Sequence, residues 1–132
     1  LIGRISRALG NRRTLLLGAA AGGIGFAGYA LAPTGYWFWA AMPIAALWAI
    51  AGPATQAFMT SRVTAGEQGR LQGAIGSLNS IAGILGPTLF TQTLAAVAMH
   101  QVQGPLAGAT FWIASGLVTL GGLLAWRITT RA

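Results

Sequence analysis

The chain has 132 residues, of which 55% are hydrophobic and 7% are charged, and its formal net charge is +7. Soluble domains carry roughly 25% charged residues, so this composition excludes an ordinary soluble domain and indicates a membrane protein. The basic residues, all arginines, stand between long apolar runs and form no basic groove interleaved with aromatic residues, so we expect no nucleic-acid partner. Cysteine is absent, which removes disulfides and cysteine-based metal sites.

The start of the chain, residues 1–13, is predicted to be a loop, and the first transmembrane helix is predicted at about residues 14–32. This run carries no charge and is close to the roughly 20 residues needed to cross a bilayer core of about 30 Å. Small residues recur on one face of the helix, which we expect to pack closely against a neighbour: Gly18, Gly22 and Gly25. Leu1 in place of Met suggests a piece of a longer chain.

The second helix is predicted at about residues 36–59 and begins with the aromatic run Tyr36-Trp37-Phe38-Trp39. Such a cluster is typical of a membrane interface, although the same rings could be packed between helices. Pro43 and Gly52-Pro53 each permit a bend, because proline removes a backbone hydrogen bond. Gln56 lies just beyond the second of these breaks.

The third helix, predicted at about residues 70–99, sorts its residues onto distinct faces at about 100° per residue. One face is a continuous stripe of small residues, which we name the small-residue stripe: Gly69, Gly73, Gly76, Ser80, Gly83 and Pro87. The opposite face carries larger apolar residues: Leu71, Ile75, Leu78, Ala82, Leu85 and Leu89. In lipid, large side chains can face acyl chains while small ones admit a neighbouring backbone, so we predict that the stripe packs against another helix.

The fourth helix is predicted at about residues 108–126, and the arginines then fix the orientation. All of them fall before the first helix, between the second and third, or after the fourth. By the positive-inside rule, that side is cytoplasmic, so both chain ends are predicted to be cytoplasmic. The predicted fold is an all-α, polytopic bundle of four transmembrane helices.

Candidate chemistry is sparse, because the sequence offers no paired carboxylates, no nucleophile with a base, no metal-ligand cluster and no phosphate-binding loop. We therefore predict no enzyme activity, no cofactor and no metal. Thr64 to Glu67 has the spacing of a helix-capping box, which we prefer to proton chemistry for Glu67. Three intramembrane amides could line a substrate pathway or bridge helices, and both alternatives stay open: Gln56, Gln72 and Asn79.

Two stretches of the chain, residues 3–13 and 52–91, carry a family resemblance. The run GRISRALGNRR, residues 3–13, resembles the second, degenerate copy of the cytoplasmic loop motif of the major facilitator superfamily, which precedes helix nine. The matching positions are Gly3, Arg7, Gly10, Arg12 and Arg13. Residues 52–91 are similar to the helix ten to eleven region of the tetracycline-resistance branch of drug and proton antiporters. The resemblance implies that residues 1–132 are a partial C-terminal domain, helices nine to twelve of a twelve-helix exporter.

The resemblance further implies a secondary active transporter that exports a tetracycline-like drug by proton antiport. Its partners would be the lipid bilayer, the missing helices one to eight, the drug and the proton. Two positions depart from the family pattern: Arg7 replaces an acidic residue of the loop motif, and Gly22 aligns with an acidic residue in helix nine. Because a charge inside the membrane is costly and usually functional, Gly22 predicts a substrate that depends less on a negative charge there.

Two alternatives remain open at this point. The chain could belong to a major facilitator transporter of another small molecule, or it could be a non-transporting membrane bundle from a truncated gene. A small four-helix multidrug transporter is less favoured, because those proteins resemble dimers built around a membrane-embedded glutamate that this chain lacks.

Overall fold

The computed structural model describes residues 10–131 and folds them into helices joined by short turns. The α-helices are α1 (Asn11–Leu31), α2 (Gly35–Ala46), α3 (Ala51–Thr60), α4 (Gln68–Met99) and α5 (Ala109–Arg131). Short 3₁₀ turns lie at Leu47–Ile50, Ala65–Glu67 and Gly104–Gly108.

Within residues 10–131, four segments are long and apolar enough to cross a membrane, and we name them the first to fourth spans: Asn11–Leu31, Gly35–Thr60, Ala65–Met99 and Gly104–Thr130. The second span therefore contains α2 and α3 with the turn between them. Residues 10–131 contain no strand. The predicted all-α, polytopic bundle with four membrane-crossing helices is confirmed.

The first span begins at Asn11, three residues earlier than the sequence analysis placed it. Gly10 precedes the helix with φ of +79°, a conformation that glycine adopts at little cost. The backbone N–H and the hydroxyl of Thr14 both donate to the Gly10 carbonyl, at 3.1 and 3.0 Å, and so close the first turn. Arg12 and Arg13 consequently lie in the helix and not in the loop, while Gly3 and Arg7 lie outside the described residues.

The second span is interrupted where its prolines predict a break. Pro43 lies inside α2, Pro53 lies in the first turn of α3, and the 3₁₀ turn Leu47–Ile50 separates the two helices. Pro43 cannot bond to the Trp39 carbonyl within α2, and Pro53 cannot bond to the Ala49 carbonyl, so the α-helical pattern of α3 does not extend back through the turn. Pro87 differs, because α4 continues through it.

In the aromatic run at the start of the second span, one ring packs between helices and three rings are exposed. Phe38 stacks on Tyr29 of the first span with ring centres 4.2 Å apart, and Phe111 of the fourth span packs edge-on against Tyr29 at 5.5 Å. The other three rings are 90%, 64% and 71% exposed: Tyr36, Trp37 and Trp39. Phe38 therefore takes part in packing between three spans, and the other three rings of the run are free to contact the membrane interface.

The first and fourth spans pack antiparallel along their whole length. At one end, Arg12 Nε donates to Thr129 Oγ1 at 2.9 Å, and at the other, Gly108 lies against the backbone of Ala30. Between these ends, the buried hydroxyl of Ser115 donates to the Gly23 carbonyl at 2.7 Å. Ser115 was not singled out in the sequence, because a serine on an apolar helix does not reveal which backbone it will contact.

The third span lies at the edge of the bundle, and none of its residues is buried. Its half-buried residues follow one line along α4: Leu71, Ile75, Gly86, Phe90, Thr93 and Val97. A Cβ atom added at Gly69, Gly73, Gly76 or Gly83 would meet nothing within 4 Å in the described part of the chain. The packing role of the small-residue stripe stays a prediction, whereas Leu71 and Ile75, which we expected to face lipid, turn toward protein.

The orientation can be tested with single cysteines in the turns. We expect Gly35→Cys and Gln103→Cys to react with an impermeant thiol reagent added outside intact cells, because both positions are exposed and belong to the two arginine-free connections. Gly66→Cys, in the arginine-bearing turn, should react only after the membrane is permeabilised. Labelling of Gly66→Cys in intact cells would reverse the proposed orientation.

Candidate functional site

A cleft of about 570 Å³ opens between the second and third spans, and we name it the amide cleft. Gln56 of α3 and Asn79 of α4 both line it. The other lining residues are Trp48, Ala49, Ala51, Gly52, Thr55, Met59, Ile75, Leu78. This volume lies within the range of about 300–1,000 Å³ that is typical of small-molecule sites.

Helical spacing explains how the cleft forms. On α3, Gly52, Gln56 and Met59 recur at intervals of four and three residues and so share one face, and the missing side chain of Gly52 leaves space there. On α4, Ile75 and Asn79 share a face in the same way. The two faces meet at the cleft, so the two amides reach it from opposite walls.

The side chains that line the amide cleft are uncharged and suit hydrogen bonding and stacking with a ligand. Each amide can donate two hydrogen bonds and can also accept them, and Trp48 offers an indole surface for stacking. The Thr55 hydroxyl is already engaged with the Ala51 carbonyl at 2.7 Å. Among the described residues, no arginine lines the cleft and Glu67 does not reach it. The cleft can therefore bind a polar or aromatic group but cannot neutralise a charged one.

Gln72, the third amide singled out in the sequence, is not among the lining residues of this cleft. It is exposed on α4, seven residues before Asn79. The structure thus brings Gln56 and Asn79 together and leaves Gln72 apart. Within residues 10–131, no side-chain hydrogen bond of Gln56 or Asn79 joins the second and third spans. Pathway lining and helix bridging both stay open for these amides.

The glycines of the first span lie against the second span. A Cβ atom added at Gly18 would lie 2.8 Å from Ala51 Cβ, and one added at Gly25 would lie 2.6 Å from Ala45 Cα. These distances are shorter than real Cβ contacts, so the two backbones meet because both positions are glycine. The close approach fixes the second span, and with it the wall of the amide cleft that carries Gln56.

Gly22 occupies the centre of this contact. A Cβ atom added at Gly22 would lie 2.6 Å from Cδ1 of Trp48, the same residue that lines the amide cleft. Gly22, for which the resemblance implied an acidic residue, can therefore accept a side chain only if the indole of Trp48 moves. Trp48 also packs edge-on against Phe26, one helical turn beyond Gly22, with ring centres 5.7 Å apart.

Glu67, the chain's single acidic residue, is engaged at the start of the third span. The backbone N–H and the hydroxyl of Thr64 donate to Glu67 Oε2 at 3.0 and 2.7 Å. This arrangement confirms the predicted capping box. The carboxylate therefore serves the local turn and does not contribute to the amide cleft.

Four apolar spans, the first of which packs through its glycines against the second, define the class of protein, an integral membrane helix bundle. Comparison with known proteins identifies the family within this class. The chain is 43% identical over 99 residues to the class G tetracycline resistance protein of Vibrio anguillarum, which covers 73% of this chain and 24% of that protein. It is 35% identical over 99 residues to the class C protein of Escherichia coli, with the same two coverages, 73% and 24%.

A further similarity reaches a differently named protein. The chain is 32% identical over 89 residues to the hippocampus abundant transcript-like protein 1 of Rattus norvegicus, covering 67% of this chain and 18% of that protein. No family model and no solved structure matches the chain.

The predicted resemblance to the tetracycline-resistance branch of the major facilitator superfamily is thus confirmed. The chain spans about a quarter of the length of the tetracycline resistance proteins that it matches.

Proposed function

We propose that this chain forms part of the C-terminal half of a secondary active transporter, one that exports a small-molecule drug in exchange for protons. The similarity to tetracycline resistance proteins of classes G and C is the observation that carries the proposal. The proposal includes a bacterial inner membrane, cytoplasmic chain ends, and eight further helices that complete the exporter. The absence of an enzyme-like constellation in the sequence favours transport over catalysis.

The amide cleft is the part of the chain that we assign to the substrate pathway. Transporters of this fold bind substrate near the bilayer midplane, where broken helices leave backbone groups and polar side chains accessible. The second span carries such a break, at Leu47–Ile50, directly beside the cleft. In this assignment, Gln56 and Asn79 hydrogen-bond to the drug and Trp48 stacks against it.

The character of the cleft narrows the class of drug. A cationic metal complex in the membrane interior requires a compensating negative charge, because an unpaired ion there is costly. The four spans contain no acidic residue apart from Glu67, which caps a turn at the membrane surface. We therefore propose an uncharged, aromatic and hydrogen-bonding substrate at this cleft, with the carboxylates for proton coupling supplied by the proposed helices one to eight.

A transporter of another small molecule remains the second candidate. The similarity to the hippocampus abundant transcript-like protein favours this second candidate, because it shows that proteins not named for tetracycline resistance also match this region. The two candidates differ in substrate and not in the role of the amide cleft. A drug-susceptibility panel that includes tetracycline and uncharged aromatic antibiotics separates them.

The test of the proposed pathway uses the complete gene in a drug-sensitive bacterial host. We expect Gln56→Leu and Asn79→Leu each to lower resistance about tenfold or more, since the lost hydrogen bonds leave polar groups of the drug unpaired. Protein amount in the membrane is measured in parallel by immunoblot. Energised uptake of the drug into inverted vesicles gives the transport rate directly.

Gln92→Leu serves as the matched control. It removes an amide from the same helix, α4, at an exposed position outside the cleft, so resistance should stay within about twofold of the unaltered protein. Equal losses from Gln92→Leu and Asn79→Leu at equal protein levels would refute the pathway assignment. Failure of the unaltered protein to protect against any drug tested would refute drug export itself.

A further inference from the structure

A second cavity lies between the first, second and fourth spans, and we name it the apolar groove. It measures about 670 Å³ and is lined almost wholly by apolar side chains, among them Leu15, Phe58, Gly121, Leu124 and Ile128. It shares part of the second span with the amide cleft, but its remaining walls come from α1 and α5. The proposed transport function gives this groove no role.

Two arginines are held at one end of the apolar groove. Arg12 is half-buried, and its Nε donates at 2.9 Å to Oγ1 of Thr129, which lines the groove. The guanidinium carbon of Arg62 lies 5.0 Å from the ring centre of Phe58, another lining residue. The first span begins and the second and fourth spans end here, so the groove opens toward the arginine-bearing surface of the membrane.

These arginines retain the capacity to bind an anion. A guanidinium has five N–H donors in a planar fork suited to phosphate, and the contact to Thr129 uses one of those of Arg12. Arg62 is exposed, and its contact with Phe58 involves the face of the ring. The chain's one acidic side chain, Glu67, accepts its hydrogen bonds from Thr64.

We propose that the apolar groove binds one acyl chain of an anionic phospholipid whose phosphate is held by Arg12 and Arg62. An apolar groove with two arginines in contact with residues at one of its ends matches the two chemical halves of such a lipid. Basic pockets between transmembrane helices recognise anionic headgroups in this way. A packed helix would cover the apolar walls, whereas an anionic lipid covers the walls and also supplies a phosphate to the two arginines, so charge complementarity favours the lipid.

The headgroup is tested on the full chain in detergent by native mass spectrometry, with dioleoyl phosphatidylglycerol and dioleoyl phosphatidylcholine as probes. We expect one phosphatidylglycerol to bind in preference to phosphatidylcholine, and Arg12→Gln with Arg62→Gln to weaken phosphatidylglycerol binding about tenfold or more. The control pair Arg13→Gln with Arg70→Gln removes the same charge from two arginines outside the groove and should change binding less than threefold.

The acyl-chain site has its own matched variants on α5. A Cβ atom at Gly121 or at Gly116 would meet nothing within 4 Å, and both positions are exposed, but only Gly121 lines the groove. Gly121→Leu should therefore fill the groove and weaken phosphatidylglycerol binding about tenfold, although both arginines remain. Gly116→Leu should leave binding unchanged. These two variants also decide the question if the double arginine variant does not fold.

Several results would overturn the proposal. Equal losses from the two arginine pairs would reduce the effect to general surface charge, and equal behaviour of Gly121→Leu and Gly116→Leu would place the acyl chain outside the groove. Competition by glycerol 3-phosphate as strong as that by phosphatidylglycerol would indicate an anion site without a lipid. Absence of any preference for the anionic lipid would exclude the site altogether.

Discussion

Replacing Gly22 with aspartate is expected to lower the free energy of unfolding by on the order of 4 kcal/mol, the combined cost of overpacking and of a charge inside the membrane. The new Cβ atom would lie 2.6 Å from Cδ1 of Trp48, so the indole must move before the side chain can fit. Trp48 also lines the amide cleft, so transport by the complete protein should fail as well. Unfolding in mixed micelles with increasing sodium dodecyl sulfate measures the loss of stability.

Three further variants separate the steric cost at Gly22 from the electrostatic cost. Gly22→Asn keeps the shape of aspartate without its charge and should retain most of the steric penalty. Gly116→Asp places the same charge on an open position of the fourth span and should carry the electrostatic penalty alone. Adding Trp48→Ala to Gly22→Asp should recover part of the stability, because it opens the space that the carboxylate needs. Stability of Gly22→Asp equal to that of Gly116→Asp would contradict the close packing described at Trp48.

Gly25→Leu is expected to destabilise the chain by about 3 kcal/mol, whereas Gly76→Leu should change its stability by less than about 1 kcal/mol. At Gly25 the nearest atoms are backbone atoms of Ala45, at 2.6 and 2.7 Å, and backbone cannot rotate away as a side chain does. At Gly76 a side chain would enter open space within the described structure, and leucine has the higher helix propensity. The same unfolding titration compares the two variants.

Repeating the comparison of Gly25→Leu with Gly76→Leu in the complete protein tests whether further helices pack on the small-residue stripe. If further helices cover the small-residue stripe, Gly76→Leu should become as damaging there as Gly25→Leu. Unchanged tolerance of Gly76→Leu in the complete protein would refute the packing role predicted for the stripe. Gly86→Leu tests the other face of α4, the one that carries the half-buried residues. A Cβ atom added at Gly86 would also meet nothing within 4 Å in the described structure.

Trp48 joins the packing of the helices to the proposed function. Its indole contacts Gly22 on the first span, packs against Phe26, and lines both cavities. A change in the separation of the first two spans must therefore alter the wall of the amide cleft. This geometry makes Gly22 a positioning residue for the cleft.

The sequence by itself determined the features that arise from local composition. The length and apolarity of each run predicted four spans, since crossing a bilayer depends on a sum over about 20 residues and not on any partner. The interruption near Pro43 and Pro53 followed from a missing N–H, and the cap at Glu67 followed from a spacing of three residues. The family resemblance was also accessible, because it depends on motifs within the chain.

Only the tertiary structure decided which face of each helix meets which neighbour. In the membrane, large and small apolar residues can both face either lipid or protein, so the glycines of the first span and those of the third span looked equivalent in sequence. The structure packs Gly25 against Ala45 and leaves Gly76 open. It also joins Ser115 to Gly23 and places Gln56 and Asn79, but not Gln72, at one cleft. These contacts depend on the relative rotation of the helices, which side-chain packing sets and no single helix encodes.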